Sequence, residues 1–198
     1  MKTALLLSGG MDSTAIAFWL KPDIAITIDY GQLSFRGELR AAKKICAEIG
    51  LEQVILTMDC RDIGSGDLAG TQALACAPVP EWWPFRNQFL ITMGAMKAVS
   101  MQVDTLYFGS VSTDAAHADG RPEFFSNMSR LLSLQEGSIS LEAPAITMRS
   151  EELIRKSGIS PSLLYWSHSC HRSEYACGLC RGCSKHMQVL EALGLETN

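Results

Sequence analysis

The run Leu-Leu-Leu-Ser-Gly-Gly-Met-Asp-Ser-Thr at residues 5–14 constrains the fold more than any other stretch of the chain. An apolar, strand-like segment ends at Ser8, Gly9 and Gly10, passes Asp12 and enters an apolar-periodic segment, 15–20, that reads as a helix. Such a junction holds anions. Glycine lets the backbone approach a ligand with no Cβ in the way, and the first amides of a helix have no intrahelical acceptor. Ser8, Ser13 and Thr14 add hydroxyl donors, while Asp12 offers a carboxylate to a metal ion that neutralises a polyphosphate. An ordinary strand-to-helix turn capped by Ser or Asp uses the same residues, so the rest of the chain must decide between the two.

Short apolar runs at 3–7, 25–29, 53–58, 105–111 and 139–143 read as strands, and helical patterns at 15–20, 37–49, 86–101, 121–134, 150–156 and 161–166 alternate with them. Strands that are apolar throughout, rather than alternately polar, indicate an α/β fold: a parallel five-stranded sheet with helices on both faces. Ligands of such sheets bind beyond the carboxyl ends of the strands, near the point where strand order reverses. The Ser8 loop, the turn Asp29-Tyr30-Gly31-Gln32 and the polar segment 112–120, with Asp114, His117 and Asp119, are expected to meet there. Cys46 falls on the apolar face of the 37–49 helix and reads as core. In 59–84 the periodicity is lost, which predicts a lid or a disordered loop.

With 198 residues, 47% of them apolar and 19% charged, the chain suits one globular body. Its expected organisation is a nucleotide-binding α/β part at 1–158 and a helical, metal-binding segment at 159–198 packed on the same domain. The net charge of -4 argues against a broad nucleic-acid surface. No apolar run approaches the ~20 residues of a membrane span, and the first one stops at Ser8, so a membrane location is not expected and a cytoplasmic one is.

Four of the seven cysteines crowd into 170–183: Cys170, Cys177, Cys180 and Cys183, with Gly178 and Gly182 for tight turns. That spacing is the pattern of a four-thiolate zinc site, closed to water and therefore structural. His168, His171 and His186 lie nearby as substitute ligands, though four cysteines suffice.

Taken together, several motifs make the chain resemble the QueC family, the 7-cyano-7-deazaguanine synthases within the ATP pyrophosphatases. They are 8–14, Asp29-Tyr30-Gly31-Gln32, Phe85-Arg86-Asn87, Asp119 with Arg121-Pro122-Glu123-Phe124, and Ser169-Cys170 through Cys183. The resemblance spans nearly the whole chain and implies a Rossmann-like fold of the adenine nucleotide alpha hydrolase type. It implies ATP, magnesium and structural zinc as cofactors, and 7-carboxy-7-deazaguanine and ammonia as substrates. The acid would be adenylated, converted to an amide, adenylated again and dehydrated to the nitrile. On this reading Ser8, Gly9, Gly10, Asp12, Ser13 and Thr14 hold the pyrophosphate, and Asp29, Tyr30 and Gly31 border the adenosine. Asp12, Arg86 and Arg121 serve catalysis, while Asn87, Asp114, Asp119 and Arg121 meet the substrate. Trp82, Trp83 and Phe85 either stack on a base or pack a lid on the core. Family members commonly form homodimers.

The chain departs from the family after the Asp29 turn, where Leu33-Ser34-Phe35-Arg36 replaces a His-containing segment, and in 109–120, where Asn and two aromatic residues are lacking. These differences leave other acceptors open. One alternative transfers the activated deazaguanine to an amine of a protein or nucleic acid. Another is sulfur transfer to tRNA through Cys60 or Cys76, which the acidic balance disfavours. A zinc-ribbon binding module is the non-enzymatic alternative.

Overall fold

The apolar runs form one parallel sheet in the computed structural model, which describes residues 1–195. Strands β1 (Thr3–Leu6), β2 (Ile24–Asp29), β3 (Glu52–Thr57), β4 (Thr105–Tyr107) and β5 (Ser140–Glu142) lie in the order β3-β2-β1-β4-β5. All neighbouring pairs are parallel. Parallel neighbours require long crossovers. Helix α1 (Met11–Leu20) joins β1 to β2, and α2 (Phe35–Ile49) joins β2 to β3. The short α3 (Gly66–Ala69) and then α4 (Arg86–Ser100) lead from β3 to β4, and α5 (Pro122–Ser133) leads on to β5. Helices α6 (Ser150–Ser157), α7 (Pro161–Leu164) and α8 (Arg181–Ala192) follow the sheet. The α/β class and the parallel five-stranded sheet are therefore as the sequence implies.

Side chains alternate between the faces of a strand, and β1 shows how this divides the core. Ala4 and Leu6 pack with Ile24, Ile26, Ile91 of α4 and Phe125 of α5. Leu5 and Leu7 pack with Ile16 of α1, Ile45 of α2, Leu153 of α6 and Leu190 of α8. Each large aliphatic side chain buried this way contributes about 1.5–3 kcal/mol, so both faces of the sheet need their helices. Cys46 lies in the second cluster, as its helical face implies.

Two segments differ most from the sequence reading. The fourth strand pairs only over Thr105–Tyr107, because the following residues leave the sheet to close over the first turn of α1. A Cβ on Gly109 would sit 3.2 Å from the Cα of Ser13. Residues 59–84 are not a structureless loop: they carry a 3₁₀ turn (Arg61–Ile63), α3, and the buried anchors Leu68 and Trp83. Trp83 stands edge-on to Tyr30 with ring centroids 5.1 Å apart. Aromatic burial, rather than regular periodicity, fixes this segment.

Candidate active site

At the carboxyl ends of β1, β2 and β4 lies a cavity of about 670 Å³, within the usual range for small-molecule sites. It sits where strand order reverses, because β1 is flanked by β2 on one side and β4 on the other. Ser8, Gly10, Asp12 and Ser13 form part of its wall. Gly9 adopts φ +79°, and a Cβ there would come within 2.5 Å of the Glu38 carbonyl oxygen. Only glycine fits between the loop and α2. The Gly9 carbonyl accepts the His168 N–H at 2.8 Å, which ties the loop to the chain's last third.

No side chain caps α1, so its first amides remain available to an anion. The Ser13 hydroxyl donates to the Gly10 carbonyl at 3.1 Å and lies 3.1 Å from the Ser8 hydroxyl, which accepts the Gly10 N–H at 3.3 Å. Asp12 Oδ1 and Thr14 Oγ1 are buried and have no hydrogen-bond partner among the described residues. An orphaned carboxylate oxygen beside free amides is the donor set that a magnesium–polyphosphate complex satisfies. Gly9 and Thr14 shape the loop from behind and do not line the cavity.

The turn after β2 is split in the same way. Asp29 Oδ1 accepts the Gly31 N–H at 3.1 Å, so Asp29 and Gly31 build the turn and lie outside the cavity wall, whereas Tyr30 and Gln32 lie in it. Gln32 donates to Glu38 at 2.9 Å and Ser34 donates to Glu38 at 2.6 Å. Burial raises the Glu38 carboxyl above the ordinary carboxylate range despite these bonds. Arg86 lies near enough to oppose the rise at Glu38 and at the buried Tyr30 phenol. Burial, assisted by Arg86, depresses His171 to about 4.

Asn87 donates to the Asp119 carbonyl at 3.1 Å, pinning the start of α4 to the 3₁₀ turn Ala118–Gly120. Asn87 and Asp119 both line the cavity. Arg121 does not. It is exposed, precedes Pro122 in extended conformation, and its Nε donates to the Ala115 carbonyl at 3.2 Å. The structure therefore places Arg121, expected in catalysis and substrate contact, outside the cavity lining, with its guanidinium bonded to the 3₁₀ segment.

In its place the structure brings a cation that sequence reading missed. Lys185 Nζ, on α8, lies 3.1 Å from Asp12 Oδ2 and 3.2 Å from Asp114 Oδ1. Burial works against the ammonium, yet attraction to Asp12 and then Asp114 outweighs it and holds the lysine above its usual pKa. The other Asp114 oxygen accepts the Val111 N–H at 3.0 Å. Two further pairs join the same C-terminal region to residues 59–84: Arg181 with Glu81 at 3.2 Å and Arg172 with Asp67 at 2.9 Å. These are half-exposed and individually worth little, but they seat the segment over the cavity.

The four cysteine sulfurs lie within 4.8 Å of one another, a cage that suits tetrahedral zinc with Zn–S near 2.3 Å. Backbone N–H groups point at them: Leu179 and Cys180 to Cys177 at 3.4 Å, and Cys183 to Cys180 at 3.4 Å. Donation from Leu179 and Cys180 lowers the Cys177 thiol to about 6, favouring the thiolate that a metal requires. Cys180 is also the N-cap of α8, so the cage fixes where that helix begins.

A family model described as queuosine biosynthesis protein QueC matches residues 2–194. The chain belongs to the QueC family. Among individual relatives, a 7-cyano-7-deazaguanine synthase of Chlorobaculum parvum is 28% identical over 98% of this chain and 94% of its own length. Proteins of the same name from Nitratiruptor sp. and Campylobacter curvus are each 29% identical, covering 98% of this chain and 96% and 95% of theirs. The relatives it matches are named as synthases, so this is a chain of an enzyme family. No helix among the described residues is long and apolar enough to cross a membrane.

No sequence motif singles out Lys185, Arg181, Glu81 or Glu38. Each is an unremarkable charged residue outside a glycine or cysteine pattern, and only Lys185 and Arg181 carried a signal, their position within two residues of a cage cysteine.

Proposed function

We propose that the protein activates 7-carboxy-7-deazaguanine with ATP and converts it with ammonia to 7-cyano-7-deazaguanine. The observation that carries this reading is the meeting, in one cavity, of the open amide end of α1, the half-orphaned Asp12 carboxylate and the Lys185 ammonium. The amides and the ammonium supply donors where a pyrophosphate must leave, the carboxylate supplies a ligand for its divalent cation, and preorganised groups of this kind contribute most where charge develops. Asp12 would hold magnesium, which would share the charge of the polyphosphate.

A substrate carboxylate oxygen attacks the α-phosphorus of ATP, and the electron pair of the broken P–O bond leaves with pyrophosphate. Ammonia then attacks the acyl carbon, AMP departs and one proton is lost, giving the amide. In the second round the amide oxygen attacks another ATP, pyrophosphate leaves, and loss of AMP with the remaining N–H protons gives the nitrile. Arg86, half-buried beside Tyr30 and Glu38, is placed to pair with an anionic group of nucleotide or acid. Cys170, Cys177, Cys180 and Cys183 would hold zinc with four thiolates and no open position for water, a structural site that would fix the start of α8.

Incubation with ATP, 7-carboxy-7-deazaguanine and ammonium, followed by mass analysis of small molecules and protein together, tests this. AMP, pyrophosphate and nitrile are expected. ADP as the nucleotide product overturns the reading, and a mass increment on a protein amine with no nitrile transfers it to the alternative acceptor.

A further inference from the structure

We infer that Lys185 is a catalytic residue whose ammonium neutralises the pyrophosphate leaving ATP, delivered to the Ser8 loop by the cysteine cage. The inference rests on the loop being a pyrophosphate site and goes beyond it by adding a residue 173 positions away from Asp12.

Three observations support it. First, Lys185 lies one turn into α8, whose N-cap is Cys180 and whose first turn contains Cys183. Its height over the loop is therefore set by the cage. Second, Nζ is held by two carboxylates that both line the cavity, Asp12 at 3.1 Å and Asp114 at 3.2 Å. Asp12 belongs to the first turn of α1 and Asp114 to the 3₁₀ turn Ser112–Ala116. Third, no other lysine lines the cavity; of its arginines, Arg86 and Arg149 come from other segments, and Arg181, at the start of α8, is paired with Glu81.

A single ammonium between two carboxylates leaves a net negative charge, which repels an incoming polyphosphate. Binding becomes favourable when Asp12 turns to the divalent cation that accompanies the nucleotide. Lys185 is then released from Asp12, still tethered to Asp114, with its N–H donors free for phosphate oxygens. In the adenylation step the pair from the broken Pα–O bond resides on pyrophosphate, and the ammonium offsets that charge without transferring a proton. A lysine serves here as a compact, rotatable point charge.

The test is calorimetric binding of inorganic pyrophosphate, in magnesium-containing buffer, to the zinc-loaded full chain. Lys185→Met is expected to weaken binding about tenfold to a hundredfold, the effect of losing one charge-assisted hydrogen bond. Lys185→Arg is expected to stay within about fivefold of wild type, since charge is kept. Zinc content and melting temperature are measured on each protein, and Lys185→Gln carries the comparison if the Met variant does not fold. Wild-type affinity in a folded, zinc-loaded Met or Gln variant overturns the inference. So does full recovery of binding in Lys185→Met combined with Asp114→Asn, because the lysine would then only neutralise its neighbours. A wild-type protein that binds no pyrophosphate instead defeats the reading of the loop itself.

Discussion

Lys185 Nζ reaches Asp12 Oδ2 at 3.1 Å across almost the entire length of the chain, so the last helix and the first loop form one electrostatic unit. The consequence is that damage to either end should be felt at the other.

Asp12→Ala removes a carboxylate with one orphaned oxygen and one lysine partner. ATP-dependent AMP release is expected to fall by about 10²–10³-fold, the cost of losing one preorganised charge-stabilising group. Zinc content should be unchanged. Retention of more than about a tenth of wild-type turnover would remove Asp12 from the mechanism.

Arg86 and Arg121 look alike in sequence, each beside the start of a helix. In the structure Arg86 lines the cavity while Arg121 is exposed and bonded to Ala115. Arg86→Ala is expected to lower kcat/KM at least about tenfold, the loss of one charge-assisted contact of about 1.5–3 kcal/mol, and Arg121→Ala to change it by less than about threefold. Steady-state kinetics on both variants decides, and the reverse order would return Arg121 to the site.

Gly9→Ala should displace the loop. With φ +79° and backbone oxygen of Glu38 only 2.5 Å from the added Cβ, the site cannot yield without moving α2. A loss of about 1–3 kcal/mol in urea unfolding is expected, together with weakened pyrophosphate binding. A neutral result would show that loop and helix separate freely.

Chelation of zinc should lower the melting temperature by roughly 10 °C, equivalent to about 3–4 kcal/mol in a domain of this size. Nucleotide affinity should fall with it, because the start of α8 is set at Cys180 and Lys185 follows within two turns. Unaltered affinity in the chelated protein would mean that the helix holds its place without the cage.

Thiol alkylation reports on the same assembly. Cys46 is buried, and burial pushes its thiol up to about 11; Cys60 is likewise buried and raised. At pH 8 only about one Cys46 in a thousand is thiolate, the reactive form, and the rate should rise about tenfold per pH unit up to about 11. With zinc bound, exposed Cys76 is expected to react fast and alone; peptide mass mapping after chelation should add the four cage cysteines. Rapid labelling of Cys46 at pH 8 would contradict its place in the core.

What the sequence determined by itself was what local rules encode. Apolar runs at 3–7 and 25–29 had to be inner strands because no polar face was provided for. Gly9 and Gly10 had to make a tight turn, and the cysteine spacing had to make a cage. The segment 59–84 was illegible because its anchors, Leu68 and Trp83, follow no period and bury themselves against Tyr30 and its neighbours rather than along a helix face.

The tertiary structure alone decided which charges matter. Arg121 carried a motif and ended on the surface; Lys185 carried none and ended between Asp12 and Asp114. The reason is physical. Helix and strand propensity act over a few residues, but the partner of a charge is set by how distant elements pack, and here that packing was fixed by α8 seating its Val189 and Leu190 in the core shared with α1.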